Sequence, residues 1–367
     1  MSKFQLRLDQ AGAVRKGEEL DVPRLESYLI DHVDDGRLEG CRGSLNVQQF
    51  RSGFSNLTYL LKMGSREFVL RRPPFGNQVK SAHDMGREYN VLSKLCHVYQ
   101  PAPRPMLYCS DENIIGDEFY LMERCHGVIL RGPIAPEPLA SDPQLARRLG
   151  ESFIDNLARL HRLDYESAGL SDLGKPIGYV ERQVAGWTKR YVKARTSNVP
   201  QIDQLAQWLA DNRPDETRGT LIHNDYKYDN LILDPDDLSH VVAVLDWEMS
   251  TLGDPWMDLG TTMAYWIEPT DGESLRLRAF GPTMIRGSLS RRELLDRYCE
   301  RSGWEVANPL FYYCFGLFKV AVIVQQIFAR YVRGSTQDPR FADLDDTVLA
   351  LGQAARDAIS RGDVSVC

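Results

Sequence analysis

The chain has 367 residues, 43% of them hydrophobic and 26% charged, with a formal net charge of −7. That length suits two lobes with real cores, and the composition excludes a disordered chain. The mildly acidic balance argues against a nucleic-acid binder, and seven scattered cysteines without a CxxC pair argue against a disulfide framework or a zinc site and point to a reducing cytoplasm.

Residues 1–20 scatter charges through a stretch with no apolar centre, so no signal peptide is expected. Residues 22–33 have the spacing of a short amphipathic helix, with Pro23 tolerated in its first turn. Strand-like runs follow at 44–50, 57–63 and 67–71, with turns at 51–56 and 64–65. A helix is expected over 82–95, closed by Pro101, Pro103 and Pro105, and two more strands at 105–109 and 118–123. From about Arg124 the pattern turns helical, interrupted by a short strand pair near 231–233 and 241–245. The apolar stretch 311–328 contains Lys319, Gln325 and Gln326 and reads as a buried helix, not a membrane span. The class is α+β, with a small antiparallel-rich first lobe at 1–123 and a mainly helical second lobe at 124–367.

The strongest chemical signal is His223-Asn224-Asp225-Tyr226-Lys227-Tyr228-Asp229-Asn230, followed after a polar turn by an apolar run that delivers Asp246 in Asp246-Trp247-Glu248. Moving a phosphoryl group to an alcohol needs a carboxylate at the acceptor hydroxyl, hard oxygen ligands for Mg²⁺ and a cation beside the transferred group. Asp225 fits the first need, Asn230 and Asp246 the second and Lys227 the third. His223 belongs to the same catalytic loop as its brace. Upstream, residues 50–59 form a strand–turn–strand in which Gly53, Ser55 and Asn56 could offer backbone N–H groups to ATP phosphates. Taken alone, that segment is an ordinary hairpin turn. Arg71 ends Phe68-Val69-Leu70-Arg71 where kinases place a phosphate-pairing cation, and Glu88 in the next helix is its natural ion-pair partner. Met122 and Glu123 end an apolar strand whose backbone suits adenine.

This order and spacing resemble the aminoglycoside-phosphotransferase and choline-kinase-like superfamily, above all the kinase domains found alone in bacteria or fused to acyl-CoA dehydrogenases. The resemblance covers nearly the whole chain. It includes Gly53-Phe54-Ser55-Asn56-Leu57-Thr58-Tyr59, Val69-Leu70-Arg71-Arg72-Pro73-Pro74, Arg87-Glu88-Tyr89, Leu157-Ala158-Arg159-Leu160-His161, the catalytic loop, and Gly253-Asp254-Pro255-Trp256-Met257-Asp258-Leu259-Gly260. It implies a protein-kinase-like two-lobed fold, ATP and Mg²⁺ as cofactors, and a small-molecule hydroxyl acceptor with neither nucleic acid nor membrane as partner. In the resembling subgroup the acceptor is a hydroxyacyl-CoA or similar acyl compound rather than an antibiotic. Three departures stand out: Arg71 for the usual Lys, Ser52-Gly53 for Gly-Gly, and Asn224 for Gly between His and Asp. None removes a catalytic group.

Elsewhere the structural reading prevails. His161 reads as a packed histidine, Asp258 as a tie to the catalytic-loop backbone, and Asp254 as a helix cap. Residues 182–195 carry five cations and no acid. By the resemblance this segment lies on the acceptor side, which would place Arg182, Trp187, Lys189, Arg190, Tyr191 and Lys193 there; a solvated basic face is the plainer reading. The rival functions are a true aminoglycoside kinase and a catalytically idle kinase-like binding module. The idle module usually lacks the loop Asp or the metal Asp, and both are present. A protein kinase is disfavoured by the lack of an Ala-Pro-Glu segment after Asp246.

Overall fold

The structure, a computed structural model, describes residues 10–32, 43–50, 56–75, 84–215, 218–336 and 338–365. Helix α1 (Val22–Asp31) is capped by Asp21, whose side chain accepts from Arg24 N. Strands β1 (Leu45–Gln49), β2 (Leu57–Met63) and β3 (Arg66–Arg72) precede helix α2 (Met85–Leu95). Next come β4 (Pro105–Cys109), a one-turn helix α3 (Glu112–Ile115) and β5 (Phe119–Glu123). The five strands form one antiparallel sheet in the order β1-β2-β3-β5-β4. Apart from α3, which was not expected, these elements follow the expected ones within a few residues. The turn at 51–55 and the expected helix start at 82–83 lie outside the described residues.

The second half is helical: α4 (Glu137–Ser141), α5 (Pro143–His161), α6 (Tyr179–Ala194), α7 (Pro200–Asp211), α8 (Pro255–Tyr265), α9 (Glu273–Arg276), α10 (Arg291–Ser302), α11 (Pro309–Val332) and α12 (Leu344–Arg361). The expected strand pair forms, β7 (Leu231–Leu233) against β8 (Val241–Val244). A further pair was not anticipated: β6 (Thr220–Ile222) with β9 (Thr251–Gly253), each three residues long and too short for a periodicity to show.

Alternation along the sheet divides the core. Tyr59, Leu61, Phe68, Leu70 and Leu121 pack toward α1, while Leu60, Val69, Tyr120 and Met122 join the core that runs through α2 into the helical part. Helix α11 is long and apolar enough to cross a membrane by length and composition, with mean hydropathy 1.6, yet 78% of that window is buried inside the molecule. It packs against α6, α7, α8 and α12 as a core helix. Its crossing with α8 requires glycine on both sides. A Cβ at Gly260 would strike the carbonyl of Tyr312, and one at Gly316 would strike the carbonyl of Gly260. Both helices reach the loop after β6, α8 through Asp258 and α11 through Lys319.

Candidate active site

Arg71 stands on the same face of β3 as Val69 and so emerges beneath α2. Its Nη1 donates to Oε1 of the buried Glu88 at 2.7 Å, and its Nη2 to Oδ1 of Asp246 at 2.9 Å. Glu88 Oε1 also accepts from Trp247 N at 3.2 Å, which ties α2 to the segment carrying Asp246. The Arg71 guanidinium is buried, and its Nε has no acceptor among the described residues. Burial opposes its charge, but Glu88 and Asp246 outweigh that and keep it firmly protonated. An arginine fork held between two acids, with one N–H uncommitted, has the charge and geometry to receive a phosphate. Asn56 donates to Glu248 Oε2 at 2.6 Å, which fixes the start of β2 over the same cleft. Met122 and Glu123 line the cleft at the end of β5, and the Glu123 carboxylate accepts from Arg104 N at 2.8 Å. Gly53 and Ser55 lie outside the described residues.

β6 runs into the loop carrying Asp225. Asn224 has φ 69°, in the left-handed region that asparagine tolerates better than other side chains. This accounts for Asn where the resembling enzymes have Gly. The backbone amides of His223 and Asn224 donate to Oδ2 and Oδ1 of Asp258 at 2.7 and 2.8 Å. Asp258 sits in the first turn of α8 and also meets His161 Nε2 at 3.1 Å. Burial would raise its pKa, but His161, His223 and Lys319 hold the carboxyl below the usual range. His161 packs as expected, with Nδ1 2.7 Å from the Tyr298 hydroxyl, and Asp254 caps α8.

His223 lies outside the cleft lining and its ring is enclosed. Nε2 is 2.9 Å from Leu245 O, and Nδ1 accepts from Asp225 N at 3.3 Å. Burial pushes its pKa down, so the ring is neutral with its proton on Nε2. His223 thus braces the loop, the role expected of it from the sequence, and does not line the cleft.

Asp225 faces the cleft with its carboxylate held from both sides. Oδ2 accepts from Lys227 Nζ at 2.8 Å and from Asn230 Nδ2 at 2.9 Å, and Oδ1 accepts from the Tyr265 hydroxyl at 3.0 Å. Burial works against the Lys227 charge, but Asp225 raises its pKa well above the ordinary value. Asp246 also has a left-handed backbone, φ 68°, of the kind of strain that recurs at functional sites. Burial would raise its pKa, and Arg71 and Lys227 more than offset that.

Among the described residues no cluster of three or more His, Cys, Asp or Glu could hold a metal. The donor set that does suit Mg²⁺ is Asn230 and Asp246. Asn230 spends its amide nitrogen on Asp225, which leaves the amide oxygen for a cation, and Asp246 gives Oδ1 to Arg71, which leaves its second oxygen. Two hard oxygens beside the Arg71 guanidinium are the donor type that Mg²⁺ prefers.

Arg71, Asp225, Lys227, Asn230, Asp246 and Tyr265 line one cleft of about 1280 Å³. Of the six acceptor-side residues anticipated, Trp187, Arg190 and Lys193 line it; Arg182, Lys189 and Tyr191 do not. Arg182 and Lys189 fall on the far side of α6 from Trp187, as 100° per residue requires. Arg182 donates instead to the carbonyls of Lys175 and Ile177, Lys189 is exposed, and Tyr191 is buried at a ring distance of 6.3 Å from Phe318. Arg190 lies 4.5 Å from the Trp187 ring centroid. Among the cations that sequence reasoning missed are Arg330 and Arg333, from the last turn of α11 and just beyond it; Arg124, Arg131 and Arg340 also line the cleft. Tyr265, also missed, is the final residue of α8.

The model of a phosphotransferase enzyme family, APH, matches residues 46–304. Acyl-CoA dehydrogenase family member 11 of Rattus norvegicus is 37% identical over 324 residues, which cover 86% of this chain and 40% of the relative. The chain thus spans well under half the length of that relative. A crystal structure of a Ralstonia eutropha protein assigned as an aminoglycoside phosphotransferase superposes with a TM-score of 0.77 at 30% identity, over 94% of this chain and 99% of that one. A thermostable mutant of aminoglycoside phosphotransferase APH(4)-Ia, in ternary complex with ADP and hygromycin B, shares the fold: TM-score 0.55, 14% identity, 93% of this chain and 99% of that one. The expected kinase-like fold, with its small antiparallel sheet and helical second part, is the one these chains have in common.

Proposed function

The chain belongs to the phosphotransferase enzyme family, and on that premise we propose that it transfers the γ-phosphoryl group of ATP to a hydroxyl of a small molecule. The observation that carries this reading is Asp225, oriented by Lys227, Asn230 and Tyr265 in the same cleft as the Arg71–Asp246 pair. In this reading the acceptor hydroxyl approaches Asp225, which orients it and takes its proton. The hydroxyl oxygen bonds to the γ-phosphorus as the bond to the β-phosphate oxygen breaks, and ADP leaves. Arg71 and Lys227 balance the phosphate charge, Glu88 aims Arg71, and the backbone at Met122 and Glu123 receives adenine. Asn230 and Asp246 would hold Mg²⁺, which when bound would neutralise the phosphate oxygens.

The acceptor we favour is a hydroxyacyl-CoA or a similar phosphate-bearing acyl compound. The cationic wall of Arg190, Lys193, Arg330 and Arg333 supports it, because like charges there would penalise a polycationic antibiotic. Similarity to acyl-CoA dehydrogenase family members points the same way. The test is ADP release from ATP and Mg²⁺ across a panel of hydroxyl compounds that includes hydroxyacyl-CoAs and aminoglycosides. Release with no acceptor above the background rate would defeat the reading, and preference for aminoglycosides would replace the acceptor.

A further inference from the structure

In the middle of the apolar helix α11 lies a lysine, Lys319, only 2% exposed. Its helix neighbours Phe315, Phe318 and Val322 are all buried, so an aliphatic side chain would suit this site and an ammonium needs a reason. The reason is three residues from Gly316, where α11 presses against α8. Nζ of Lys319 lies 2.6 Å from the carbonyl oxygen of Asn224 and 3.2 Å from its side-chain Oδ1. Asn224 is the left-handed residue immediately before Asp225. Its side-chain amide nitrogen donates to Met249 O at 3.0 Å and makes a 3.1 Å contact with the Tyr179 hydroxyl. Its backbone N–H donates to Asp258, so Asn224 is held from α6, α8, α11 and the segment after Asp246.

We infer that Lys319 is a positioning residue of the catalytic loop: it clamps Asn224 in the left-handed conformation and thereby sets the direction in which Asp225 meets the acceptor. This rests on the phosphotransfer reading of Asp225. The clamp is electrostatic as well as geometric. Asp258 from α8 and Asp225 from the loop favour the charged ammonium, and Lys227 and Arg190 oppose it. The Trp187 ring of α6 lies 5.8 Å from Nζ. Burial dominates and brings the Lys319 pKa down to about 8. The other titrating groups around Asp225 lie elsewhere: burial holds His223 low and Tyr265 high, while Asp225 holds Lys227 high. A loss of turnover as pH rises through about 8 would therefore report the loss of the Lys319 proton.

The experiment compares wild type with Lys319→Met, which removes the donor, and Lys319→Gln, which keeps an N–H donor but cannot titrate. Turnover at saturating substrates is measured from pH 6 to 10, alongside nucleotide Kd by calorimetry. A mispositioned catalytic group typically costs about 10²-fold. Lys319→Met is expected to lose about 10- to 100-fold in kcat with nucleotide Kd within about twofold. Lys319→Gln is expected to regain part of that kcat and to lack the alkaline limb. Unchanged kcat in Lys319→Met, an equal loss in nucleotide affinity, or an alkaline limb that persists in Lys319→Gln would overturn the inference. If neither variant folds, the wild-type profile decides alone, and a flat profile through pH 8 overturns it. If wild type releases no ADP with any acceptor, the phosphotransfer reading fails separately. The clamp is then judged from backbone amide shifts of residues 223–225 in Lys319→Gln, where displacement supports it and identity with wild type overturns it.

Discussion

The phenol of Tyr265 donates to Oδ1 of Asp225 at 3.0 Å, on the opposite side of the carboxylate from Lys227 and Asn230. Burial, reinforced by Asp225, raises the Tyr265 pKa far above its usual value, so the phenol stays a donor at any working pH. An acceptor hydroxyl that uses Oδ1 must share it with Tyr265 or displace it. Tyr265→Phe is expected to lower kcat about tenfold, the scale of one hydrogen bond to a charged group. Asp225→Asn should lose about 10²–10⁴-fold, the range of a lost general base. Both should leave nucleotide Kd nearly unchanged, since neither residue is assigned to the nucleotide. Steady-state kinetics with calorimetry checks this, and near-wild-type turnover in Asp225→Asn would remove it from the mechanism.

The Arg71–Asp246 pair leads to a prediction about metal dependence. Asp246 supplies the one carboxylate in the assigned magnesium pair, since Asn230 is neutral. Asp246→Ala is expected to abolish the enhancement of ATP binding by Mg²⁺. It also frees Arg71 Nη2, so metal-free ATP should bind at least as well as to wild type. ATP titrations with and without Mg²⁺ test both statements. A mutant that keeps the full enhancement places the metal elsewhere.

The loop was legible in the sequence because its chemistry is local. His223, Asp225, Asn230 and Asp246 are carried by short strands and turns whose geometry follows from neighbouring residues. Tyr265 and Lys319 were not legible as site residues. They reach Asp225 and Asn224 across 40 and 95 residues, through a helix crossing that depends on Gly260 meeting Gly316. No periodicity encodes that crossing. Lys319 had shown itself only as a polar break in an apolar run. On α6 the residue types were legible but the rotation of the helix was not, so Lys193 faces the cleft and Lys189 does not.

The Asp258 network predicts an acid dependence of stability. The carboxylate is buried and takes His161 Nε2 and the amides of His223 and Asn224. Its folded pKa lies below the unfolded value of about 3.9. Its contribution is therefore complete above the unfolded value and is lost as pH falls through the folded one. Asp258→Asn should cost about 3 kcal/mol at pH 7, the scale of a broken buried charged network. It should also flatten the stability curve below about pH 4. Urea denaturation at several pH values reads both, and an unchanged acid slope would show that Asp258 is not the titrating group.

The last prediction separates the two sides of α6. Arg190 and Lys193 line the cleft beside Arg330 and Arg333, whereas Lys189 is exposed elsewhere. If this wall receives a phosphate-bearing acceptor, reversing Arg190 and Lys193 to Glu replaces attraction with repulsion. The acceptor KM should then rise at least about tenfold, the scale of one or two like-charge contacts near a surface. The KM for ATP should stay within about twofold, because neither residue is among those proposed to hold the nucleotide. Lys189→Glu serves as the internal control and should change neither value, although it carries the same charge change on the same helix. Raising salt in the wild type should also raise the acceptor KM, because these side chains are solvent-facing and screened within a Debye length of about 8 Å at physiological ionic strength. If Lys189→Glu matches the double reversal, long-range charge rather than a built surface is responsible. If neither variant alters acceptor kinetics, α6 presents a solvated basic face and the acceptor binds against other walls of the cleft.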